Sequence, residues 1–265
     1  MSSDTFSPLQ LKIYAEERAY SFELLRRTYR ERFNRELMPE QYADAFVPPA
    51  DLVARIQSPE KAHPDCWFAT SYQTILAYLG ELSDHSVDIL NCSSVLDFGC
   101  GLGRLSVHLQ PLCSDVFACD IDDRVIAWAA RTFPSIHFAR SAFLPPLPYD
   151  DVSFDFVFGN SVFTHILYGH QEAWIAEIAR ITKPGGMAIM SVIDPNVQMS
   201  DWGFVAFDKS LVDEKYIEWS FDERTQNVNI YMTGKEQCRL WNRHFSVLEI
   251  RSHYNDQCHI VLRKI

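Results

Sequence analysis

The chain has 265 residues, 47% apolar and 22% charged, enough to bury a full hydrophobic core as one large domain or one domain with an extension. Asp and Glu number 35 against 24 Lys and Arg, a net charge of −11 with no basic arm, which argues against nucleic acid as a partner. No apolar run is long enough for a membrane span, and the opening residues lack the basic-then-apolar order of a signal peptide. The seven cysteines show no CxxC spacing, so neither a disulfide framework nor a structural zinc site is expected; a reducing, cytoplasmic setting fits them.

Leu11, Ala15, Arg18, Phe22, Leu25, Tyr29 and Phe33 recur at three- and four-residue steps and predict a helix over 9–37, closed by Pro39. Six arginines lie between positions 18 and 35, interleaved with Glu23, Glu31 and Glu36, and read as a solvated helix face rather than a phosphate site. Residues 47–64 carry four prolines and read as loop with a short helical insert. Ile75, Leu76 and Leu79 predict a helix over 71–82.

From Ser94 the pattern becomes short apolar runs separated by turns and helices. Strands are expected at 94–99, 116–120, 137–140, 154–158 and 187–193, with helices at 104–110, 123–131 and 171–181 between them and a turn at Lys183-Pro-Gly-Gly186. Such alternation means parallel βαβ units in an open sheet. Strands at 246–253 and 258–263, joined by a few polar residues, can only form an antiparallel hairpin. The expected fold is therefore α/β: a Rossmann-like, mixed, seven-stranded sheet with helices on both faces, behind an N-terminal helical extension at 1–88. Residues 194–234, rich in Trp, Phe and Tyr, fit neither pattern.

Of only ten glycines in the chain, Gly99, Gly101 and Gly103 fall between the first strand and the next helix. There they permit a tight turn and close approach of a ligand to the backbone. Asp120 closes the next strand 17 residues after Gly103, where a carboxylate can accept both hydroxyls of a ribose. A tight turn beside a surface aspartate is the plainer alternative; a nucleoside-containing cofactor is the favoured reading. The third glycine of a dinucleotide fingerprint would fall at Arg104, and the Gly-Lys-Ser/Thr of a phosphate loop is absent. Asp97 stands two residues before Gly99 instead, and an acid there repels a diphosphate and welcomes a cation. S-adenosylmethionine carries a sulfonium and an ammonium group and no phosphate.

Val95-Leu-Asp-Phe-Gly-Cys-Gly-Leu-Gly-Arg104 resembles the first motif of class I S-adenosylmethionine-dependent methyltransferases. The resemblance continues through Phe117–Asp122, Leu144–Asp155, Ser161–Ile166 and Arg180–Gly186 to the closing hairpin. Ser161-Val-Phe-Thr-His165, with Phe46-Val-Pro-Pro49 upstream, also resembles a bacterial subgroup linked to glycan or cell-surface biosynthesis. The likeness implies that Asp97 and the backbone of Gly99, Gly101 and Gly103 hold the methionine part of S-adenosylmethionine. It implies that Asp120 takes the ribose and Ile121 packs on the adenine. Many members place an acid or amide after the third strand to reach the adenine amino group; here Ser141, Ala142 and Phe143 occupy that stretch.

Ligands of open α/β sheets lie beyond the carboxyl ends of the strands, which aims Gly159–His165 at the transferred methyl group. Methyl transfer is an in-line displacement whose nucleophile must be aligned and deprotonated. His165 is the candidate base, packing of the next helix being its plainer role; Asn160 and Ser161 are assigned to the cofactor. His170, His253 and His259 read as structural, and no cluster supports a metal.

The expected function is methylation of a small molecule or glycan, on oxygen, by the domain at 89–265, with 194–234 as an acceptor-site insertion. The N-terminal helices supply the other wall or a homodimer contact. A protein or peptide methyltransferase, a non-catalytic cofactor-binding regulator and a nicotinamide-dependent oxidoreductase are the alternatives.

Overall fold

The computed structural model describes residues 20, 23–35, 48–56, 64–195, 215–222, 227–253 and 257–265. Leu11, Ala15, Arg18, Phe22, Pro39 and the aromatic run 201–207 lie outside the described residues. The chain divides into two compact units, one of residues Met1–Ser93 with Cys100–Arg140, the other of Ser94–Gly99 with Ser141–Ile265.

The helices of the first unit are α1 (23–33), α2 (Ala50–Ile56), α3 (Pro64–Asp84), α4 (Ser106–Leu109) and α5 (Asp123–Thr132), with strands β2 (Asp115–Asp120) and β3 (His137–Arg140). Leu25, Tyr29 and Phe33 of the predicted stripe are buried, and the neighbouring arginines point outward with intermediate to full exposure. The Tyr29 hydroxyl donates to the backbone carbonyl of His108. His108 is buried against Tyr72, rings 4.7 Å apart, and burial with the nearby Arg104 charge lowers its pKa to about 3. It is therefore a neutral core histidine.

The second unit holds β1 (Ser94–Phe98), β4 (Phe154–Gly159), α6 (Tyr168–Ile181), β5 (Thr182–Val192), β6 (Tyr216–Asp222), β7 (Asn227–Met232), α7 (Gly234–Trp241), β8 (Phe245–His253) and β9 (Gln257–Lys264). Its core is aromatic. Phe98 packs on Trp174 with rings 4.9 Å apart and Phe163 on Trp241 at 4.9 Å, tilted contacts worth about 0.5–1.5 kcal/mol each beyond their area. At the amino ends of β1, β4 and β5, Asp155 accepts from the Ser94 N–H at 3.0 Å and from Lys183 Nζ at 2.8 Å.

The main sheet runs β3-β2-β1-β4-β5-β9-β8. β1 with β4, β4 with β5 and β2 with β3 are parallel, and β9 is antiparallel to both β5 and β8. This is the mixed seven-stranded sheet expected from the sequence.

Local differences have simple causes. The Lys183–Gly186 turn lies inside β5 as an irregularity: Phe154 pairs with Thr182 and Phe156 already with Met187, so the extra residues loop out, with Gly185 at φ 75°. α6 begins at Tyr168, three residues before the predicted start. Its N-cap Leu167 makes no side-chain cap; Glu218 of β6 instead accepts from the Tyr168 N–H at 2.8 Å, an anchor invisible in the local sequence. Within the unassigned segment 194–234, β6 and β7 form an antiparallel two-stranded sheet.

Candidate active site

In the first unit the site is built on the corner after β2. Asp120 Oδ2 accepts the Gly101 N–H at 2.9 Å and its Oδ1 accepts the Asp122 N–H at 3.0 Å. The Cys100 N–H donates to the Cys119 carbonyl at 2.9 Å. The glycine loop and the strand that ends in the acid are thus fastened to each other by backbone groups. The Ile121 backbone also donates to this carboxylate, and the four lone-pair positions of its two oxygens are not all taken by these three donors. Burial raises the Asp120 pKa above the ordinary aspartate range; the N–H donors of Asp122 and Gly101 oppose that shift. Ile121 is 55% exposed, an apolar face placed next to the acid and open to a flat ligand.

Asp122 then caps α5, accepting from the N–H groups of Arg124 at 3.0 Å and Val125 at 3.4 Å, which stabilises the helix by about 1 kcal/mol. Its partial burial favours the neutral acid, but the hydrogen bonds from Arg55, Arg124 and Val125 outweigh it and hold the carboxyl below the usual range.

In the second unit, Asp97 is buried near the end of β1, paired in register with Phe158 of β4. Gly99 takes φ 73°, and a Cβ there would lie 2.3 Å from Val162 Cγ2, so no other residue fits without displacing the segment after β4. Gly101 and Gly103 of the other unit are also left-handed, at φ 53° and 78°. Ser141 is buried, Ala142 is exposed, and Phe143 is 66% exposed with its ring edge-on to His170 at 6.3 Å.

The segment after β4 carries the remaining candidates. Ser161 adopts φ 57°, a left-handed conformation costly for a non-glycine residue. Its hydroxyl lies 2.9 Å from Gln257 Nε2 and 3.1 Å from Gln257 Oε1, at the start of β9. Asn160 reaches Ser161 Oγ and Ser191 Oγ at 3.5 Å each. Gln171 Nε2 donates to the carbonyls of Phe163 at 2.9 Å and Ile166 at 2.7 Å, fixing the turn that presents His165.

His165 is exposed, and its Nδ1 lies 2.9 Å from the Val228 carbonyl. A carbonyl only accepts, so Nδ1 is assigned as the protonated nitrogen and Nε2 carries the free lone pair. Strand β7 is tied along one edge: Val228 to His165, the Ile230 N–H to the Thr164 carbonyl at 2.8 Å, and the Met232 N–H to the Ile193 carbonyl at 2.9 Å. Tyr168 stacks flat on Tyr216 with rings 3.7 Å apart, and its hydroxyl donates to Glu236 at 2.5 Å. The β6–β7 sheet is therefore fastened onto the segment that follows β4.

Sequence reasoning missed Arg55, Gln257 and the anchoring glutamates. Each acts on a partner distant in sequence, and nothing in its own neighbourhood marks it. Among the described residues no group of His, Cys, Asp and Glu could hold a metal ion, and no helix is long and apolar enough to cross a membrane.

Residues 96–190 match the family model described as a methyltransferase domain. The chain is 29% identical over 119 residues to the malonyl-[acyl-carrier protein] O-methyltransferase of Salmonella typhimurium, covering 42% of this chain and 46% of that protein. It is 28% identical over 176 residues to the phthiotriol/phenolphthiotriol dimycocerosates methyltransferase of Mycobacterium tuberculosis, covering 64% of this chain and 58% of that one. The chain thus spans only about half the length of these curated relatives. A solved S-adenosylmethionine-dependent methyltransferase from Mesorhizobium loti superposes with a TM-score of 0.56 at 15% identity, over 68% of this chain and 95% of that one; this likeness concerns the fold. Residues 96–190 thus match a methyltransferase domain, and the chain shares the fold of solved S-adenosylmethionine-dependent methyltransferases.

The residues present suit that cofactor. The acids at 97 and 120 flank a glycine loop without a phosphate-loop lysine, which favours a cation over a diphosphate.

Proposed function

We propose that the protein is an S-adenosylmethionine-dependent methyltransferase acting on oxygen of a small molecule or glycan. The observation that carries the reading is Asp120, fixed by the N–H groups of Gly101 and Asp122 and left with lone pairs for a ribose. Asp97, with the backbone of Gly99, Gly101 and Gly103, binds the methionine portion. Ile121, Ser141, Ala142 and Phe143 surround the adenine, and Asn160 and Ser161 contact the cofactor from the β4 side.

Bound S-adenosylmethionine supplies a methyl carbon on a good leaving group. The protein orients the acceptor hydroxyl in line with it and excludes water. His165 Nε2 would take the proton of the acceptor hydroxyl, leaving the oxygen free to attack. The Val228 carbonyl holds the ring by Nδ1 and fixes the tautomer that leaves Nε2 basic. Residues 1–88 act as a cap, and 194–234, including the β6–β7 sheet with half-exposed Tyr216 and Trp219, as the acceptor wall. The O-methyltransferase named among the relatives supports oxygen as the target.

Two measurements test this. Titration calorimetry should detect S-adenosylmethionine binding that Asp120→Ala weakens. A panel of hydroxylated small molecules and glycans, incubated with methyl-labelled donor, should yield a labelled product. Label appearing only on added peptides would move the acceptor class to protein, and cofactor binding without any transfer would favour a regulatory role.

A further inference from the structure

Helix α2 meets the cofactor corner of the first unit at three points. Arg55 Nε and Nη2 both reach Asp122 Oδ2 at 2.5 Å. Arg124 Nη2 donates to Asp51 Oδ2 at 2.6 Å. Ile56 Cδ1 lies 3.3 Å from where a Cβ on Gly101 would sit.

The charge order matters. Along α2 an acid comes first and a base four residues later; along the corner the acid Asp122 comes first and the base Arg124 follows. Each base meets the other element's acid, so a shift of α2 along the corner would face like charges and lose both pairs. α2 is thereby held in one register beside Asp120-Ile121-Asp122, whose first residue offers its carboxylate to the ribose and whose last holds an N–H on that carboxylate.

We propose that α2 is a salt-latched strap over the adenosyl end of the cofactor site, with Arg55 as its positioning residue. This rests on the S-adenosylmethionine reading above. Solvent-accessible ion pairs of this kind are individually weak and screened by salt, while Leu52 and Val53 keep the inner face of α2 buried, so loosening the latch lifts only the end that carries Arg55. Arg55 acts through Asp122: it holds α2 down and steadies the carboxylate that caps α5. A cofactor seated on Asp120 exchanges when the strap lifts, so its exchange rate follows the strength of the latch.

The test is the dissociation rate of S-adenosylhomocysteine from the full chain, measured by stopped-flow competition between about 50 mM and about 500 mM salt. The wild-type rate should rise several-fold with salt. Arg55→Ala should dissociate about two- to fivefold faster at low salt and lose part of the salt dependence, the Asp51–Arg124 pair remaining. Arg55→Lys, which keeps the charge and loses the second donor, should fall between. Asp51→Arg or Arg124→Asp alone should also speed release, and the two together should restore the wild-type rate.

A second readout needs no cofactor: hydrogen exchange of the amides at 50–56 should quicken in Arg55→Ala and at high salt. An Arg55→Ala protein with wild-type release, salt slope and exchange overturns the strap while leaving the cofactor reading intact. Exchange that responds as expected in a chain that binds no S-adenosylmethionine or S-adenosylhomocysteine overturns the cofactor reading, and with it any role of α2 in release.

Discussion

The two units secure their candidate groups by different means. In the first, the acid that closes β2 is held by backbone N–H groups within one βαβ segment, Gly101 and Asp122, and the cap on α5 comes from the next residue but one. In the second, the segment after β4 is held by side chains and strands far away in sequence: Gln257 on Ser161, Val228 on His165, Glu218 on the start of α6. Backbone fastening needs little more than glycines and one acid at the right spacing. Side-chain fastening needs the whole tertiary structure in place.

The largest expected effect lies in the second unit. If the exposed imidazole held by Val228 is the base, His165→Ala should lower kcat by about 10²–10⁴ with cofactor affinity nearly unchanged. Steady-state kinetics with the true acceptor, paired with calorimetry, checks it. Near-normal turnover would reduce His165 to a tie between the β4 segment and β7 and would blur the contrast between the units.

A pair of glycine variants tests the contrast directly. Gly99→Ala adds left-handed strain and drives Cβ to 2.3 Å from Val162 Cγ2. Strain and overpacking together should remove about 3 kcal/mol of stability. Gly101→Ala shares the strain but meets only the movable tip of Ile56, at 3.3 Å, and should lose about 1–2 kcal/mol. Urea denaturation of both variants measures the gap; equal losses would mean that Val162 yields freely and that the second unit's packing there is loose.

The same contrast sets how much was legible in the sequence. The inner strands β1, β4 and β5 announce themselves as apolar runs because burial on both faces dictates composition, while the edge strands β3 and β8 are read from their spacing and the turns around them. The left-handed turns at Gly99, Gly101 and Gly103 are legible because glycine alone adopts them readily, and the Gly101–Asp120 tie follows from that loop meeting the end of β2. The β6–β7 sheet was not, since it forms by laying the β7 edge on Thr164, His165 and Ile193, and no local periodicity encodes a partner so distant. The irregular Lys183–Gly186 stretch read as a plain turn because the five-residue step from Thr182 to Met187 against two residues of β4 is a register property. Nothing near Arg55 in the sequence points to Asp122, 67 residues away; only the fold brings them together.

Asp120 should show the backbone-held site by its pH dependence. Asp120→Ala should weaken S-adenosylmethionine binding by about 1.5–3 kcal/mol, as loss of charged hydrogen bonds does. Burial holds the Asp120 pKa above the ordinary range. The folded state therefore binds that proton more tightly than the unfolded chain, and ionising the group lowers stability as pH rises through the raised pKa. The ribose hydroxyls need the ionised form, so wild-type affinity should fall as pH drops through the same range, sooner than for an ordinary aspartate. Asp120→Asn should bind weakly and lack that acid limb. Calorimetry over a pH series reads both, and an unchanged limb in Asp120→Asn would assign it to another acid.

The smallest effect concerns Ser161 and asks what the side-chain network of the second unit is for. Its left-handed backbone, φ 57°, is an unfavourable state for serine, and the bonds with Gln257 offset that cost. Ser161→Ala removes the bonds and keeps the strain, so it should lose about 1 kcal/mol. Ser161→Gly removes the bonds and the strain together, about 1 kcal/mol each in opposite directions, and should be close to wild type in thermal unfolding. The glycine variant should thus be the more stable of the two although it has lost more atoms. If alanine proves equal to glycine, the strain is negligible and Gln257 merely decorates the loop. If glycine restores stability while cofactor affinity stays low, then Gln257 fixes the hydroxyl rather than the backbone.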